Sequence, residues 1–212
     1  MQEFIDLIEK AKNVFDQRTA VRDQALVQAR QLTRLAAHTI RAIHRDEADT
    51  AQSLLSEARV LTLNIQRDLA SYPDVYYAGY TQDAIKEFAE ANLTVALILN
   101  QPMPTPEELG IEYAAYLNGL AETIGELRRK CLDILRQGYS EDAERLLASM
   151  DEIYNVLVTM DYPDAITNGL RRQTDLVRGI IERTRADLTL SLREQHLQEA
   201  LLKFSDRFPG FQ

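Results

Sequence analysis

The sequence predicts an all-α fold, a single-domain antiparallel bundle of six or seven helices. The chain contains neither glycine nor proline from Met1 to Ser71. Its apolar residues recur at spacings of three and four, and no segment shows the alternation of apolar and polar residues that is typical of a strand. With 212 residues, of which 45% are hydrophobic, the chain is long enough for one domain with a substantial core.

The first helices can be assigned from the breaks between them. Residues 1–71 predict two long helices, with the acidic segment RDEADT at 45–50 as the bend. Pro73 and Gly79 then interrupt the chain, and the next helix is predicted at about 82–99. We expect one domain over residues 1–212, in which residues 1–30 belong to the first helix and residues 199–212 form a C-terminal tail.

The segment NQPMPTPEELG predicts a short helix. Thr105 can cap it, with Pro106 in the first helical position and Glu108 as the capping-box partner, and Gly110 ends it after about one turn. The remaining helices are predicted at about 111–137, 139–160 and 165–204.

The composition restricts the classes of function and the compartment. Because the formal net charge is -9, a polyanion would have to bind a local basic patch. The single cysteine, Cys131, cannot form an intramolecular disulfide or a cysteine-based zinc site. The N-terminal segment lacks the apolar region of a signal peptide, and no stretch has the length of a transmembrane helix. We therefore expect a soluble, cytoplasmic protein without a membrane partner.

Two pairs of glutamates occupy consecutive predicted helices. Glu87 and Glu90 are three residues apart, and Glu122 and Glu126 are four apart, so each pair shares one helix face. If the break at Gly110 sets the register of two antiparallel helices, the four carboxylates lie at the same height on facing helices. Four uncompensated carboxylates would repel one another. The pattern therefore predicts a divalent cation, and oxygen ligands without cysteine or histidine favour magnesium, manganese or calcium.

Other interpretations of these acids are open at this point. The chain has 33 acidic residues, and glutamate pairs at helical spacing are common on solvated faces. A ferritin-like di-iron site needs the motif Glu-x-x-His twice, but the residues three positions before the three histidines are leucine, arginine and arginine. Gly119 and Gly125 each cost about 1 kcal/mol relative to alanine in mid-helix, which suggests close approach of a neighbour or ligand.

Four segments resemble the translin family in order and spacing. They are DAIKEFAEA, PEELGI, YLNGLAETIGELRRKCL and YPDAITNGLRRQTDLVRGIIERTRADLTLSLR. The resemblance extends over about residues 31–193, and YLNGLAETIGEL is its most specific part. The family contains translin, which binds single-stranded nucleic acid and forms hollow octamers, and translin-associated factor X, whose acidic residues make it a metal-dependent endoribonuclease.

The acidic positions resemble those of the nuclease-type subunit. Glu87 and Glu90 match its E-x-x-E pair, where translin has non-acidic residues, and Glu126 matches the glutamate of its GEL motif. Glu122 stands where that subunit has an aspartate. The resemblance implies that these four glutamates are the catalytic and metal-binding residues for Mg²⁺ or Mn²⁺. It also implies an endoribonuclease acting on RNA, preferentially single-stranded, and self-association into an octamer-like homo-oligomer.

Three basic groups could hold the phosphates of a nucleic acid. The first group ends the predicted first helix, where cations equally favour the negative end of the helix dipole. The second follows the GEL motif directly, and the third lies on the last helix, where a charge pair is often simply solvated. The predicted nucleic-acid-binding residues are Arg41, His44, Arg45, Arg128, Arg129, Arg171 and Arg172.

Two alternative functions are also compatible with the sequence. The first is a translin-like oligomer that binds single-stranded RNA or DNA without cleaving it, in which the acids are structural. The second is a helical adaptor that binds no nucleic acid.

Overall fold

The computed structural model describes residues 1–207, and within this range it contains nine α-helices and no strand. The predicted all-α fold class is confirmed. Six of the helices are long and three are single turns. The bounds are α1 Gln2–His44, α2 Ala48–Leu69, α3 Pro73–Tyr76, α4 Gly79–Ile98, α5 Pro106–Leu109, α6 Tyr113–Leu135, α7 Glu141–Leu157, α8 Asp164–Thr167 and α9 Leu170–Arg207. Of the single turns, α3 is not among the predicted elements. The helix predicted at 165–204 is interrupted, because Asn168 and Gly169 adopt left-handed conformations with φ values of 51° and 82° and separate α8 from α9.

Helix α9 extends into the segment for which the sequence predicts a tail. The predicted tail at 199–212 begins within α9, and its residues 208–212 lie outside the described part of the chain. None of the helices that the structure describes is long and apolar enough to cross a bilayer.

The bend between α1 and α2 lies where the sequence predicts it. Arg45 leaves the helical conformation at the end of α1, and its N–H donates to the carbonyl of Ala42 at 3.0 Å. The next residue, Asp46, has a φ of 61°, which turns the chain. α2 then begins at Ala48, and α1 packs along it.

Contacts within the chain group its residues into two compact units. The first unit comprises Met1–Asn92 and Thr105–Tyr116, and the second comprises Leu93–Pro104 and Leu117–Gln212. The boundaries therefore fall within α4 and within α6.

The core of the first unit combines the apolar faces of its helices. Leu32 of α1, Ile65 of α2 and Phe88 of α4 are each at most 1% exposed. At the edge of this core, the side-chain amide of Gln28 donates to a carboxylate oxygen of Asp68 at 2.8 Å. This hydrogen bond holds the pKa of Asp68 below its usual value. The cluster consists of Ala25, Ala29, Leu32, Ala58, Ile65, Leu69, Val75, Ala84, Ile85, Phe88, Ala89, Leu109, Ile111 and Ala115.

The predicted capping box of the short helix is confirmed. The hydroxyl of Thr105 accepts a hydrogen bond from the N–H of Glu108 at 3.2 Å, and the carboxylate of Glu108 accepts one from the N–H of Thr105 at 2.8 Å. Pro106 is the first helical residue, and Gly110 ends the helix in the left-handed conformation with a φ of 69°. The segment between the long helices is thus fixed by local interactions.

The second unit has its own core, formed by α6, α7 and α9 together with the end of α4. The fully buried side chains include Ile124, Leu146 and Met150. Arg145 of α7 donates to the carbonyls of Leu97 and Ile98 at 2.9 and 3.3 Å. It thereby satisfies carbonyl groups that the end of a helix leaves without an intrahelical partner.

Cys131 is buried in this second core, where its thiol contacts the carbonyl of Ala143 at 3.6 Å. Burial raises the pKa of the thiol to about 12, and the thiolate is the reactive form of cysteine.

We expect the thiol of Cys131 in the native protein to resist alkylation by iodoacetamide at mildly alkaline pH and to react fully in concentrated guanidinium chloride, as measured by mass spectrometry. Rapid alkylation of the native protein would show that this core opens.

Two glycines are predicted to respond to alanine in opposite ways. Gly110 needs its left-handed φ, which costs an L-residue roughly 1–2 kcal/mol, so Gly110→Ala is expected to lower the free energy of unfolding by about that amount. At Gly125 no described atom, apart from its chain neighbours and local helix backbone, lies within 4 Å of where a Cβ would stand. The close approach expected at Gly125 is therefore not found among the described residues.

Because alanine is the better helix former, Gly125→Ala is expected to raise the free energy of unfolding by up to about 1 kcal/mol. Urea unfolding of both variants beside the unmodified protein checks the two signs. Destabilisation by Gly125→Ala would mean that a group outside residues 1–207, such as a partner or a ligand, fills this space.

Candidate functional site

The first acidic pair lies on α4, in the first unit. Glu87 and Glu90 are half-buried, whereas Phe88 and Ala89 between them are fully buried. Asp83, one turn earlier on the same helix, is exposed. The pair therefore lies at the margin of the buried face of α4, which distinguishes it from an ordinary solvated acid pair.

The second acidic pair lies on α6, in the second unit, and is also half-buried. The side-chain amide of Gln173 donates to a carboxylate oxygen of Glu122 at 3.1 Å. Glu126 forms an ion pair with Arg129 at 3.5 Å, and its side chain is 25% exposed. The flanking residues Leu120, Ala121, Ile124 and Leu127 are buried, as expected from the apolar character of this segment.

The donor chemistry of these side chains suits a hard divalent cation, since carboxylate oxygens are the ligands that Mg²⁺ and Mn²⁺ prefer. Within residues 1–207, however, no group of three or more histidine, cysteine, aspartate or glutamate side chains is arranged to hold a metal ion. The joint metal site of the four glutamates stays a prediction.

The basic group at the end of α1 differs in exposure from residue to residue. Arg41 and Arg45 are exposed and His44 is half-buried, and their nucleic-acid-binding role stays a prediction. Arg41 belongs to the last turn of α1, where a cation interacts favourably with the helix dipole.

Further cations extend this group toward the middle of α1, and sequence reasoning did not include them. Five exposed side chains recur at spacings of three and four, so at 3.6 residues per turn they fall within a sector of about 80°. We call this set the basic stripe. It consists of Arg30, Arg34, His38, Arg41 and Arg45. A signal for it exists in the sequence, because no acidic residue occurs from Gln24 to Arg45.

The two predicted arginines of α6 have different surroundings. Arg128 forms an ion pair with Asp187 at 2.8 Å and donates to the hydroxyl of Thr184 at 3.0 Å, with its side chain 23% exposed. Arg129 is 54% exposed beside Glu126. The charge of Arg128 is thus used within the second unit, whereas Arg129 faces solvent.

The predicted arginines of α9 also differ. Arg171 forms an ion pair with Asp161 near the start of α9, and both side chains are exposed. Arg172 is exposed and forms no ion pair with the described residues. Their nucleic-acid-binding role stays a prediction.

Tyrosines near α3, which could stack on bases, are mainly structural. Tyr76 and Tyr80 pack against the core of the first unit, and the rings of Tyr76 and Tyr77 meet edge to face at 5.0 Å. The hydroxyl of Tyr77 donates to Glu112 at 3.2 Å, and the negative charge of Glu112 raises the pKa of Tyr77. Tyr77, 59% exposed, presents its ring to solvent more fully than the half-buried Tyr76 and Tyr80 do.

Comparison with known proteins gives similarities along most of the chain. No family model matches it. MJ0175 of Methanocaldococcus jannaschii, an uncharacterised protein, is 33% identical over 193 residues, which cover 89% of this chain and 84% of that protein.

Solved structures show the same architecture. AfC3PO in complex with duplex RNA has a TM-score of 0.82 at 31% identity, and the match covers 88% of this chain and 97% of that chain. AfC3PO alone has a TM-score of 0.81 at the same identity and coverage. The apo form of NeC3PO has a TM-score of 0.77, covers 87% of this chain and 96% of that chain, and, at 22% identity, shows a likeness of fold alone.

The surroundings of Arg128 predict that it stabilises the fold more than it binds RNA. Arg128→Gln removes the ion pair and the hydrogen bond to α9, so we expect the free energy of unfolding to fall by about 1–2 kcal/mol, with little change in RNA affinity. Arg172→Gln, which removes an exposed cation, is the matched control and should change stability by less than about 0.5 kcal/mol. Unchanged stability together with weaker RNA binding in Arg128→Gln would instead assign this arginine to RNA.

Proposed function

The chain belongs to the translin family, and from that membership we propose that it is a cytoplasmic RNA-binding protein that cleaves RNA in a reaction dependent on Mg²⁺ or Mn²⁺. In this proposal the chain is of the nuclease type, resembling translin-associated factor X, and assembles with copies of itself into an octamer-like shell. Single-stranded RNA is the proposed preferred substrate. Because AfC3PO was solved with duplex RNA, cleavage should be measured with both single-stranded and duplex RNA.

The observation that carries the proposal is the partial burial of both glutamate pairs at the positions that resemble the nuclease-type subunit. A carboxylate that has lost part of its hydration interacts more strongly with a cation than an exposed one does. We propose Glu87, Glu90, Glu122 and Glu126 as the metal ligands. The metal, when bound, supplies an activated water and stabilises the charge that develops on the phosphate.

Neighbouring side chains support these roles. The amide of Gln173 donates to Glu122 and fixes the orientation of that carboxylate, as outer hydrogen-bond partners of metal ligands commonly do. Arg129 is largely exposed and pairs with Glu126 at 3.5 Å, so its guanidinium can turn to a phosphate oxygen without leaving the site.

The same contacts favour the second candidate function, a non-catalytic RNA-binding oligomer. A glutamate that accepts from Gln173 and another that pairs with Arg129 are also what a purely structural acid pair requires. The two candidates differ in what happens to bound RNA, so cleavage must be measured separately from binding.

Isosteric substitution of the acids separates the two functions. Glu90→Gln and Glu126→Gln keep the shape and remove the charge, so we expect cleavage of a labelled RNA in Mg²⁺ to fall on the order of a hundredfold or more, while RNA binding in EDTA persists. Asp83→Asn is the matched control, because Asp83 is an exposed acid one turn before Glu87. It should leave cleavage unchanged.

Mn²⁺ binding followed by electron paramagnetic resonance provides a readout that is independent of activity. Bound Mn²⁺ should be lost in Glu90→Gln and Glu126→Gln and retained in Asp83→Asn. If the unmodified protein binds single-stranded and duplex RNA but shortens neither in Mg²⁺ or Mn²⁺, the nuclease proposal is wrong and the binding function stands. If it binds no RNA at low salt, both proposals fail.

A further inference from the structure

We propose that the basic stripe of α1 is the surface along which the RNA backbone binds, separate in role from the glutamates. The proposal takes RNA as the ligand and in that respect rests on the proposed function. The phosphate contacts then include Arg30, Arg34 and His38, which are not among the predicted nucleic-acid-binding residues.

The geometry of α1 makes the stripe a straight, outward-facing row. Its side chains point away from the face that buries Leu32, Ala36 and Ile43 in the first unit. From Arg30 to Arg45 the helix rises about 22 Å at 1.5 Å per residue. A row of cations of this length can contact several consecutive phosphates of one strand.

The charge of the stripe is uncompensated within the described residues. None of its four arginines forms an ion pair there, although the more N-terminal arginines of the same helix do: Arg18 pairs with Asp74 and Arg22 with Asp23, each at 3.1 Å. The acid-free segment from Gln24 to Arg45 explains the difference. The arginines of α1 thus change from ion-paired to unpaired where the acidic residues of the helix end.

Structural explanations account for only part of the stripe. The helix dipole favours cations in the last turn, which includes Arg41 but neither Arg30 nor Arg34. The pairs Arg30 and Arg34, and Arg41 and Arg45, are like charges at i and i+4, an arrangement that destabilises a helix. The row of cations destabilises the helix that carries it. Binding of an anionic ligand explains why these cations are nevertheless present.

RNA fits this surface better than a compact anion does. Guanidinium groups form paired hydrogen bonds with phosphate oxygens, and a regular row matches a linear polyanion. Because the whole chain carries a net charge of -9, most of its surface repels RNA and the stripe attracts it locally. The competing ligand is the acidic surface of a second copy of this chain.

The experiment compares two double variants of the full chain that lose the same charge from the same helix. Arg30→Gln with Arg34→Gln removes uncompensated cations, and Arg18→Gln with Arg22→Gln removes ion-paired ones. The probes are a uridine oligonucleotide and a duplex RNA of the same length, bound in EDTA over a range of salt concentrations. Analytical ultracentrifugation of each variant reports the oligomeric state.

We expect the stripe variant to bind the single strand about tenfold more weakly at low salt, with the slope of log K against log salt reduced by about 1.4, or 0.7 for each lost phosphate contact. The control variant should retain both the affinity and the slope. If the affinity for both RNA probes falls, the stripe binds the phosphates of single-stranded and duplex RNA alike. If the affinity for one probe alone falls, the stripe binds that form of RNA.

Three results would overturn the inference: equal weakening in both variants, unchanged binding in the stripe variant, or a changed oligomeric state in the stripe variant alone, which would make the stripe a subunit contact. Failure of the nuclease proposal is distinguishable, because binding is measured in EDTA without cleavage. Where the unmodified protein cleaves RNA, the stripe variant should reach the same maximal rate at a higher RNA concentration.

Discussion

Burial of one face of α1 is the constraint on which the first unit depends, and it also decides what that helix presents to solvent. Leu32 and Ala36 are completely buried, and α1 packs along α2. Burying a leucine contributes about 1.5–3 kcal/mol, whereas each like-charge pair on the opposite face costs roughly 0.2–0.5 kcal/mol. Packing therefore outweighs repulsion, and the helix keeps its cations outward at a tolerable cost.

The second unit shows how neighbouring residues of one helix acquire different roles. Successive helical side chains point about 100° apart, so Arg128 meets Asp187 of α9 while Arg129 faces solvent beside Glu126. Ile124 and Leu127 fix the rotation of α6 by burial. The half-buried position of Glu122 and Glu126 then follows from the packing of their neighbours.

Most of the fold could be predicted because its helices are long and their ends carry local signals. The capping box at Thr105 and the left-handed Gly110 involve neighbours in sequence, and both are confirmed. The single turn α3 and the break between α8 and α9 could not be predicted in the same way. α3 begins at Pro73 without a side-chain cap that would mark the start of a helix. The break comes from the left-handed Asn168 and Gly169, which lie inside a segment predicted as one continuous helix.

The candidate site is less predictable because its properties depend on exposure and on distant partners. The residues next to Arg128 in sequence do not reveal that it pairs with Asp187 of α9. Those next to Gly125 do not reveal that the space beside it is open among the described residues. The basic stripe could be predicted from the sequence alone, because its spacing and the absence of acidic residues from Gln24 to Arg45 are both sequence features. Its residues are not adjacent in sequence, and only the helix brings residues three and four apart onto one face.

An acidic protein that binds RNA has to restrict where the polyanion approaches. With a net charge of -9, the protein as a whole does not attract RNA, so affinity must come from a few cations that no carboxylate neutralises. Carboxylates suited to a metal site repel RNA until a cation binds, and therefore cannot also supply that affinity. The proposed function therefore assigns the two tasks to different residues: uncompensated arginines on α1 would hold the RNA backbone, and the half-buried glutamates would hold the metal. If both proposals hold, affinity and cleavage can be altered independently, each through its own set of residues.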